Sequence, residues 1–349
     1  MTSFFEFWPS WLMYLPVGVQ WLLLAVRYRS MTVPFLANPE LTLSGMVGVA
    51  KSELMSQATG AAQSAILPWV RYAMDDRPHD VQLDDCLALA EAKGISLPFV
   101  CKPDIGCRGA GLKYIADAQD LAAAMAHYPV GAAFLLQRLA SHEPEVGIFY
   151  VRDPASGAYA IESLTYKYLP SVTGDGQQTL GELIEADERA GALKHLYFER
   201  FEARWNSVPA AGEAIALVFS ASHSKGAIFH DVRHLITPAL TETVHGMMQA
   251  LPAFNYGRLD VKFPDLARLQ RGEGLEVIEI NGASAESLHI WDKDASFGEA
   301  LRALLWQYRT LFRIGAHYRR KGHRPPSIGT LLRHWKLERE LTRHYPLTD

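Results

Sequence analysis

The chain has 349 residues, 49% of them hydrophobic and 21% charged. That composition excludes a disordered, collagen-like or low-complexity chain and allows two or three compact units around a sizeable core. Lys plus Arg (34) against Asp plus Glu (38) gives a net charge of −4, which leaves no footprint for general nucleic-acid binding.

In chain order, residues 1–30 stand apart. Positions 4–26 are apolar and aromatic, interrupted by Glu6, Pro9, Pro16 and Gln20 and followed by Arg27 and Arg29. No basic residue precedes the run and no clear cleavage site follows, so it does not read as a secretory signal. The interruptions also weigh against a spanning helix, which needs about 20 apolar residues. Two readings stay open. One is a helix at an anionic membrane interface, with Trp8, Trp11, Tyr14 and Trp21 at headgroup level and the arginines on lipid phosphates. The other is a helix buried against the rest of the protein.

Residues 31–95 form a short second region, with helices expected over 50–62 and 80–93, the latter stopped by Gly94. A strand at 97–102 runs into a loop, Pro103 to Gly111, containing Gly106, Gly109 and Gly111. A second strand is expected over 112–116, and Asp117 caps a helix to about Met125. Residues 96–170 continue with a strand at 133–138 and a hairpin of 146–152 and 159–164 around Pro154 and Gly157.

Residues 171–316 open on the turn Gly174-Asp175-Gly176. Thr179 with Glu182 makes a capping box for a helix over 180–189. Antiparallel strands follow around Val261 and over 275–280. Leu301, Leu304, Leu305, Tyr308, Leu311 and Phe312 share one face of a closing helix. Residues 317–349 form a basic tail, including Arg319, Arg320, Lys321, Arg324, Arg333, Lys336, Arg339 and Arg343. Such a tail suits an anionic membrane surface or a solvated face.

The glycine loop carries the first chemistry. Its backbone N–H groups can approach and point at phosphate oxygens. A Walker loop needs Lys and then Ser or Thr after the last glycine, but Leu112 follows Gly111. A dinucleotide fingerprint opens a helix, but a strand follows here. What is left is a hairpin flap over a nucleotide, with Lys102 reaching phosphate from the entering strand, or a plain glycine-rich hairpin.

The second constellation is Arg258 and Asp260 on one strand, with Glu279 and Asn281 on its neighbour. Glu279 and Asn281 are two apart and share a face, and Asp260 can lie opposite them. Two carboxylates and an amide oxygen are hard ligands suited to magnesium, one or two ions. Arg258 offers a fork for a phosphate or a carboxylate.

Together these residues resemble the ATP-grasp superfamily, in particular the D-alanine–D-alanine ligase and cyanophycin-synthetase type of carboxylate–amine ligase. The resemblance covers about residues 49–316. It implies an α+β fold of two subdomains clasping ATP, here with an apolar, mainly helical N-terminal segment and a basic helical tail. It implies that Lys102 and the glycine flap bind phosphate, that the strand ending in Gln137 and Arg138 meets adenine, and that Glu145, with Glu143 second, binds ribose. It implies a second phosphate lysine at Lys167, an early lysine at Lys51, metal ligands at Asp260, Glu279 and Asn281, and an active-site arginine at Arg258. The expected chemistry uses ATP and magnesium to join a carboxylate to an amine through an acyl phosphate. A small-molecule kinase and a membrane-attached ATP-binding scaffold are the rival expectations.

Two departures leave the substrate open. The first eighty residues are too short and apolar for the Rossmann-like domain that precedes the family's core. After Asn281 the chain reads Gly-Ala-Ser-Ala-Glu-Ser-Leu-His rather than a Pro-Gly loop. Glu286 and His289 are substrate candidates there, as are Ser222, His223 and Lys225. His230-Asp231-Val232-Arg233-His234 imitates a zinc helix motif, but Asp replaces its Glu and Thr237-Pro238 follow closely. Cys107 is a small filler or a reactive thiol. The three cysteines form no CxxC pair, which fits a reducing, cytoplasmic compartment.

Overall fold

The structure, a computed structural model, describes Trp8, residues 10–106 and residues 109–349. Residues 1–7 and 9 of the apolar segment, and Cys107 in the flap, lie outside the described residues.

The elements run α1 (Ser10–Tyr28), α2 (Lys51–Met55), α3 (Gly60–Ala65), β1 (Trp69–Ala73), α4 (His79–Ala92), β2 (Phe99–Pro103), β3 (Lys113–Ile115), α5 (Ala118–Met125) and β4 (Ala133–Arg138). Then come β5 (Glu145–Arg152), β6 (Tyr159–Tyr168), β7 (Ser171–Thr173), α6 (Leu180–Ala186), α7 (Glu188–Ala192), α8 (Lys194–Phe201), β8 (Ala214–Ala216) and β9 (Ile228–Asp231). The chain closes with α9 (Pro238–Gln249), β10 (Tyr256–Lys262), α10 (Leu266–Arg271), β11 (Glu276–Asn281), α11 (Phe297–Arg320) and α12 (Ile328–Thr342). The architecture is α+β.

Two antiparallel sheets frame the molecule. The four-stranded sheet has the order β1-β4-β2-β3, and the five-stranded sheet β11-β10-β5-β6-β9. The first sheet's core joins Tyr72, Phe99, Cys101, Ile115 and Phe134 to Cys86 and Ala90 of α4 and Leu121 and Met125 of α5. So β1 and α4, assigned to the region before residue 96, complete the flap-bearing sheet. Strands β5 and β6, assigned to the flap region, belong to the five-stranded sheet. Register decides this: β10 pairs with β5 along its whole length, Tyr256↔Val151 to Lys262↔Glu145.

Two expected helices are broken. The helix over 50–62 ends at Met55 because the Thr59 N–H bonds Ala250 O and Gly60 takes φ +46°. The helix over 180–189 opens on the expected Thr179–Glu182 capping box but ends at Ala186. Asp187 turns extended there and caps α7, accepting from the Arg189 and Ala190 N–H groups.

One face of the five-stranded sheet is apolar. Val146, Ile148, Leu164, Leu259, Val261 and Val277 pack under Leu240, Val244 and Met248 of α9. The opposite face is covered at one end by α11, where Leu311 and Ile314 meet Phe149, Val151 and Tyr256. Its other end is left open toward the four-stranded sheet, and that opening is the cleft described below.

Helix α1 lies along α11. Met13 and Val17 pack with Leu304, and Leu24 and Ala25 with Phe312 and Ala316. Trp21 sits edge-on to Phe312 at 5.1 Å and to Tyr308 at 5.7 Å. Gln20, an apparent flaw in the apolar run, donates to Leu305 O at 2.7 Å. Arg319 donates to Tyr28 O at 2.6 Å, placing a cation at the helix C-terminus. Among the described residues no helix is long and apolar enough to cross a membrane.

Candidate active site

Between the sheets lies a cleft of about 1620 Å³. A single-ligand pocket takes roughly 300–1,000 Å³, so this cleft has room for more than one small molecule.

Strand alternation builds its floor. On β10, Leu259 and Val261 turn to the core, so Arg258 and Asp260 turn to the cleft. Asp260 pairs directly across from Glu279 and Arg258 from Asn281. On the other side Asp260 faces Gly147, while Glu145 faces Lys167. Strand β6 runs on to Tyr168, past its expected end at Leu164, and that extension brings Lys167 into the sheet.

The buried charges alternate in sign. Lys167 Nζ donates to Glu145 Oε1 at 2.7 Å and lies 2.8 Å from Asp260 Oδ1. Arg258 Nε donates to the same Asp260 Oδ1 at 2.9 Å. Burial alone would lift the Asp260 carboxyl, but Arg258 and then Lys167 outweigh it and hold it down at about 2. Burial likewise works against the Lys167 ammonium, and Asp260 and Glu145 more than compensate, so its value is raised.

Space at this floor depends on Gly147. A Cβ there would sit 2.9 Å from Leu288 Cδ1 and 3.3 Å from Arg258 Cδ.

Lys102 reaches the cleft from the other sheet. Its Nζ donates to Gln137 Oε1 at 2.7 Å and to Ile278 O on β11 at 2.8 Å, bridging the sheets. Both acceptors are neutral and the group is buried, so burial pushes its ammonium down to about 8 despite Glu279 nearby. Gln137 is buried and engaged with Lys102, and it donates to Leu67 O at 3.4 Å. Its neighbour Arg138 is half-exposed at the cleft and pairs with Glu276, at 3.4 Å. Both residues line the cleft, Gln137 engaged with Lys102 and Arg138 with Glu276. The backbone of their strand is paired on both sides, to β1 and β2.

Lys51, the expected early lysine, joins the site. Its Nζ donates to Gly106 O at 2.9 Å and lies 3.8 Å from Glu279 Oε1. It therefore links the flap base to the acidic strand.

In the flap, Gly109 and Gly111 hold φ of +71° and +72°. A Cβ on Gly111 would also come within 2.7 Å of Pro103 Cγ, so only glycine serves there. Gly106 has no such constraint; its nearest neighbours, Tyr345 and Pro103, would be in ordinary contact. The Gly111 N–H, expected among the phosphate donors, is given instead to Thr348 Oγ1 at 2.9 Å, and Thr348 Oγ1 donates to Gly109 O at 2.9 Å.

The basic tail thus lies on the flap. Tyr345 OH donates to Ile105 O at 2.6 Å, and Asp349 accepts from the Tyr114 N–H at 2.7 Å and pairs with Lys113. Upstream, Glu338 accepts from the Gly48 N–H at 2.6 Å. Residues 317–320, assigned to the tail, are the end of α11.

The fit of magnesium can be read from the donors. Among the described residues, Asp260 Oδ2 carries only long contacts, from Arg258 Nη2 at 3.3 Å and Asn281 Nδ2 at 3.4 Å. Glu279 is partly exposed to the cleft. Among the described residues no cluster of three or more His, Cys, Asp and Glu side chains could hold a metal ion. A two-carboxylate, one-amide set fits an ion that keeps water and phosphate oxygens as its other ligands, as magnesium does, and not an all-protein cage.

Around the floor, Glu286 accepts from Tyr14 OH, and its backbone O accepts from Arg258 Nη1 at 3.3 Å. His289 is buried and bonded to Ser163 Oγ at 3.0 Å. Ser222 and His223 line the cleft. His230 lies on strand β9, not a helix, which removes the zinc-helix geometry. Two polar residues of this region escaped the sequence reading. Lys262, 3.5 Å from Glu145, follows the same alternation as Arg258 and Asp260 and was open to discovery by it. Asp104, which binds Ser52 Oγ and Arg71 Nε at 2.8 Å each, is long-range and carried no local signal.

No family model matches the chain, and no curated protein sequence matches it. Solved structures that resemble it include synthetases and ligases. A bifunctional glutathione synthetase from Pasteurella multocida is 16% identical over 75% of this chain and 37% of its own, with a TM-score of 0.37. A D-cycloserine synthetase is 15% identical over 75% and 70%, with a TM-score of 0.38. A D-alanine–D-alanine ligase from Bacillus anthracis is 12% identical over 81% and 72%, with a TM-score of 0.44. The chain therefore spans little more than a third of the length of the first of these. These are likenesses of overall form, and the functional reading rests on the chain's own side chains.

Proposed function

We propose that the chain is an ATP-grasp ligase that uses ATP to join a carboxylate to an amine through an acyl phosphate, releasing ADP as it forms and phosphate as the amine displaces it. The observation that carries this reading is the meeting of Lys102, Lys167 and Arg258 with Asp260, Glu279 and Asn281 in one cleft under a glycine flap.

Lys102 is protonated at neutral pH and offers its remaining N–H to a phosphate oxygen. Lys167 and Arg258 set fixed positive charge where the transferring phosphoryl group and the acyl oxygen become more negative. Asp260, held ionised by both, would hold magnesium with Glu279 and Asn281. The ion, when bound, supplies charge neutralisation at the phosphates. Glu145 is proposed as the ribose contact, and Gln137 with Arg138 as the adenine wall.

The test is a screen of acid–amine pairs followed by ADP release and product mass. A new amide with stoichiometric ADP supports the reading, and the Asp260→Asn, Glu279→Gln double variant should abolish it. A stable phosphate ester as product would make the protein a kinase. ATP turnover untouched in the double variant would refute the site.

A further inference from the structure

Helix α1 is apolar on two sides, and α11 covers one of them. The buried side is Met13, Val17, Leu24 and Ala25. The other side is a continuous exposed stripe in which Trp11 is 67%, Leu15 58%, Val19 52%, Leu22 57%, Leu23 67% and Val26 78% accessible. These positions recur at helical spacing along roughly 23 Å of helix. A contiguous exposed apolar surface of this kind marks a partner site.

Charge selects the partner. From residue 7 to residue 39 the chain has no Asp or Glu, while Arg27 and Arg29 stand exposed at the end of the stripe. On α11, against which α1 packs, Arg302, Arg309 and Arg320 are exposed and recur at whole-turn spacing, so they line one side of that helix. An apolar stripe whose own segment ends in two exposed arginines and carries no acid is complementary to an anionic lipid surface. The helix is bound to α11 along its length, and the stripe is shorter than the roughly 30 Å hydrocarbon core, so it lies in the interface plane.

We infer that α1 docks the protein, stripe downward, on an anionic bilayer. Tyr14 of the same helix borders the cleft, so docking sets one end of the cleft beside the lipid. The last residues of the basic tail are engaged with the flap.

The experiment is co-sedimentation of the full chain with vesicles of phosphatidylcholine mixed with phosphatidylglycerol, against phosphatidylcholine alone. Binding is expected to the mixed vesicles and to weaken with salt. The Leu15→Glu, Leu22→Glu double variant should lose at least about tenfold in partitioning. Both positions are exposed, so its circular dichroism and thermal midpoint should match those of the parent. Arg27→Gln, Arg29→Gln should weaken binding to the mixed vesicles only. Absence of co-sedimentation overturns the inference, as does equal binding by the double variant. A concentration-dependent dimer that the double variant dissolves would assign the stripe to a second copy instead. None of these readouts involves ATP, so failure of the ligase reading leaves them intact.

Discussion

Lys102 offers the sharpest test of the proposed site. Its ammonium sits at about 8 against an ordinary 10.5, because burial among neutral acceptors disfavours the charged form. If ATP binds only the protonated form, the apparent dissociation constant should rise about tenfold between about pH 7 and about pH 9. Lys102→Arg stays charged throughout that range and should flatten the profile. Stability must follow the same group with a fixed sign. Between about 8 and 10.5 the unfolded chain binds a proton at this lysine that the folded chain does not. Folding stability therefore rises with pH across that window and falls back as pH drops through about 8. The gap corresponds to about 3 kcal/mol. The assay is calorimetric titration of ATP, paired with denaturant unfolding of the parent and Lys102→Gln over the same pH range. The difference in unfolding free energy should shift toward the parent by up to about 3 kcal/mol on going up in pH. A flat binding profile together with a constant difference would refute the placement of an uncompensated buried lysine here.

Three further outcomes follow from the geometry. Asp260→Asn leaves Lys167 and Arg258 with too little negative charge and should cost about 3–5 kcal/mol in denaturant unfolding. In the parent the Asp260 contribution is complete above the ordinary value of 3.8 and is lost as pH falls through about 2, so acid unfolding of the variant should begin at higher pH. Gly147→Ala should lower kcat more than it raises the KM for ATP, because its Cβ presses on Leu288 and Arg258 rather than on the flap. Thr348→Val removes the hydrogen bonds to Gly109 and Gly111 and should speed limited proteolysis within the flap, with the global unfolding midpoint little changed.

What was legible in the sequence was what short-range rules govern. Arg258 with Asp260, and Glu279 with Asn281, share a face because strands alternate with period two. The same rule separates Gln137 from Arg138, and applied strictly it predicts that only one of them turns to Lys102. The glycine flap was readable because Gly109 and Gly111 need left-handed backbone. The tail was not. Thr348 and Gly111 are 237 positions apart, and nothing in the tail's basic composition points to the threonine hydroxyl and the aspartate that fasten its end to the flap. In α1 one side packs on α11 and the opposite side stays exposed, a division that the nearly unbroken apolar run did not announce.

The charge pattern of the cleft favours an anionic ligand at Lys102. Glu145, Lys167, Asp260 and Arg258 form a chain of alternating sign in which each charge meets its opposite within 2.9 Å. Such a chain offsets much of the cost of burying charge. Lys102 stands outside it. Among the described residues it forms no ion pair, only hydrogen bonds to an amide oxygen and a main-chain carbonyl. A phosphate oxygen arriving at Lys102 would meet a cation that no carboxylate has neutralised, and it would restore the ammonium toward its ordinary value. The gain on binding at Lys102 is therefore relief of a buried cation that no ion pair compensates.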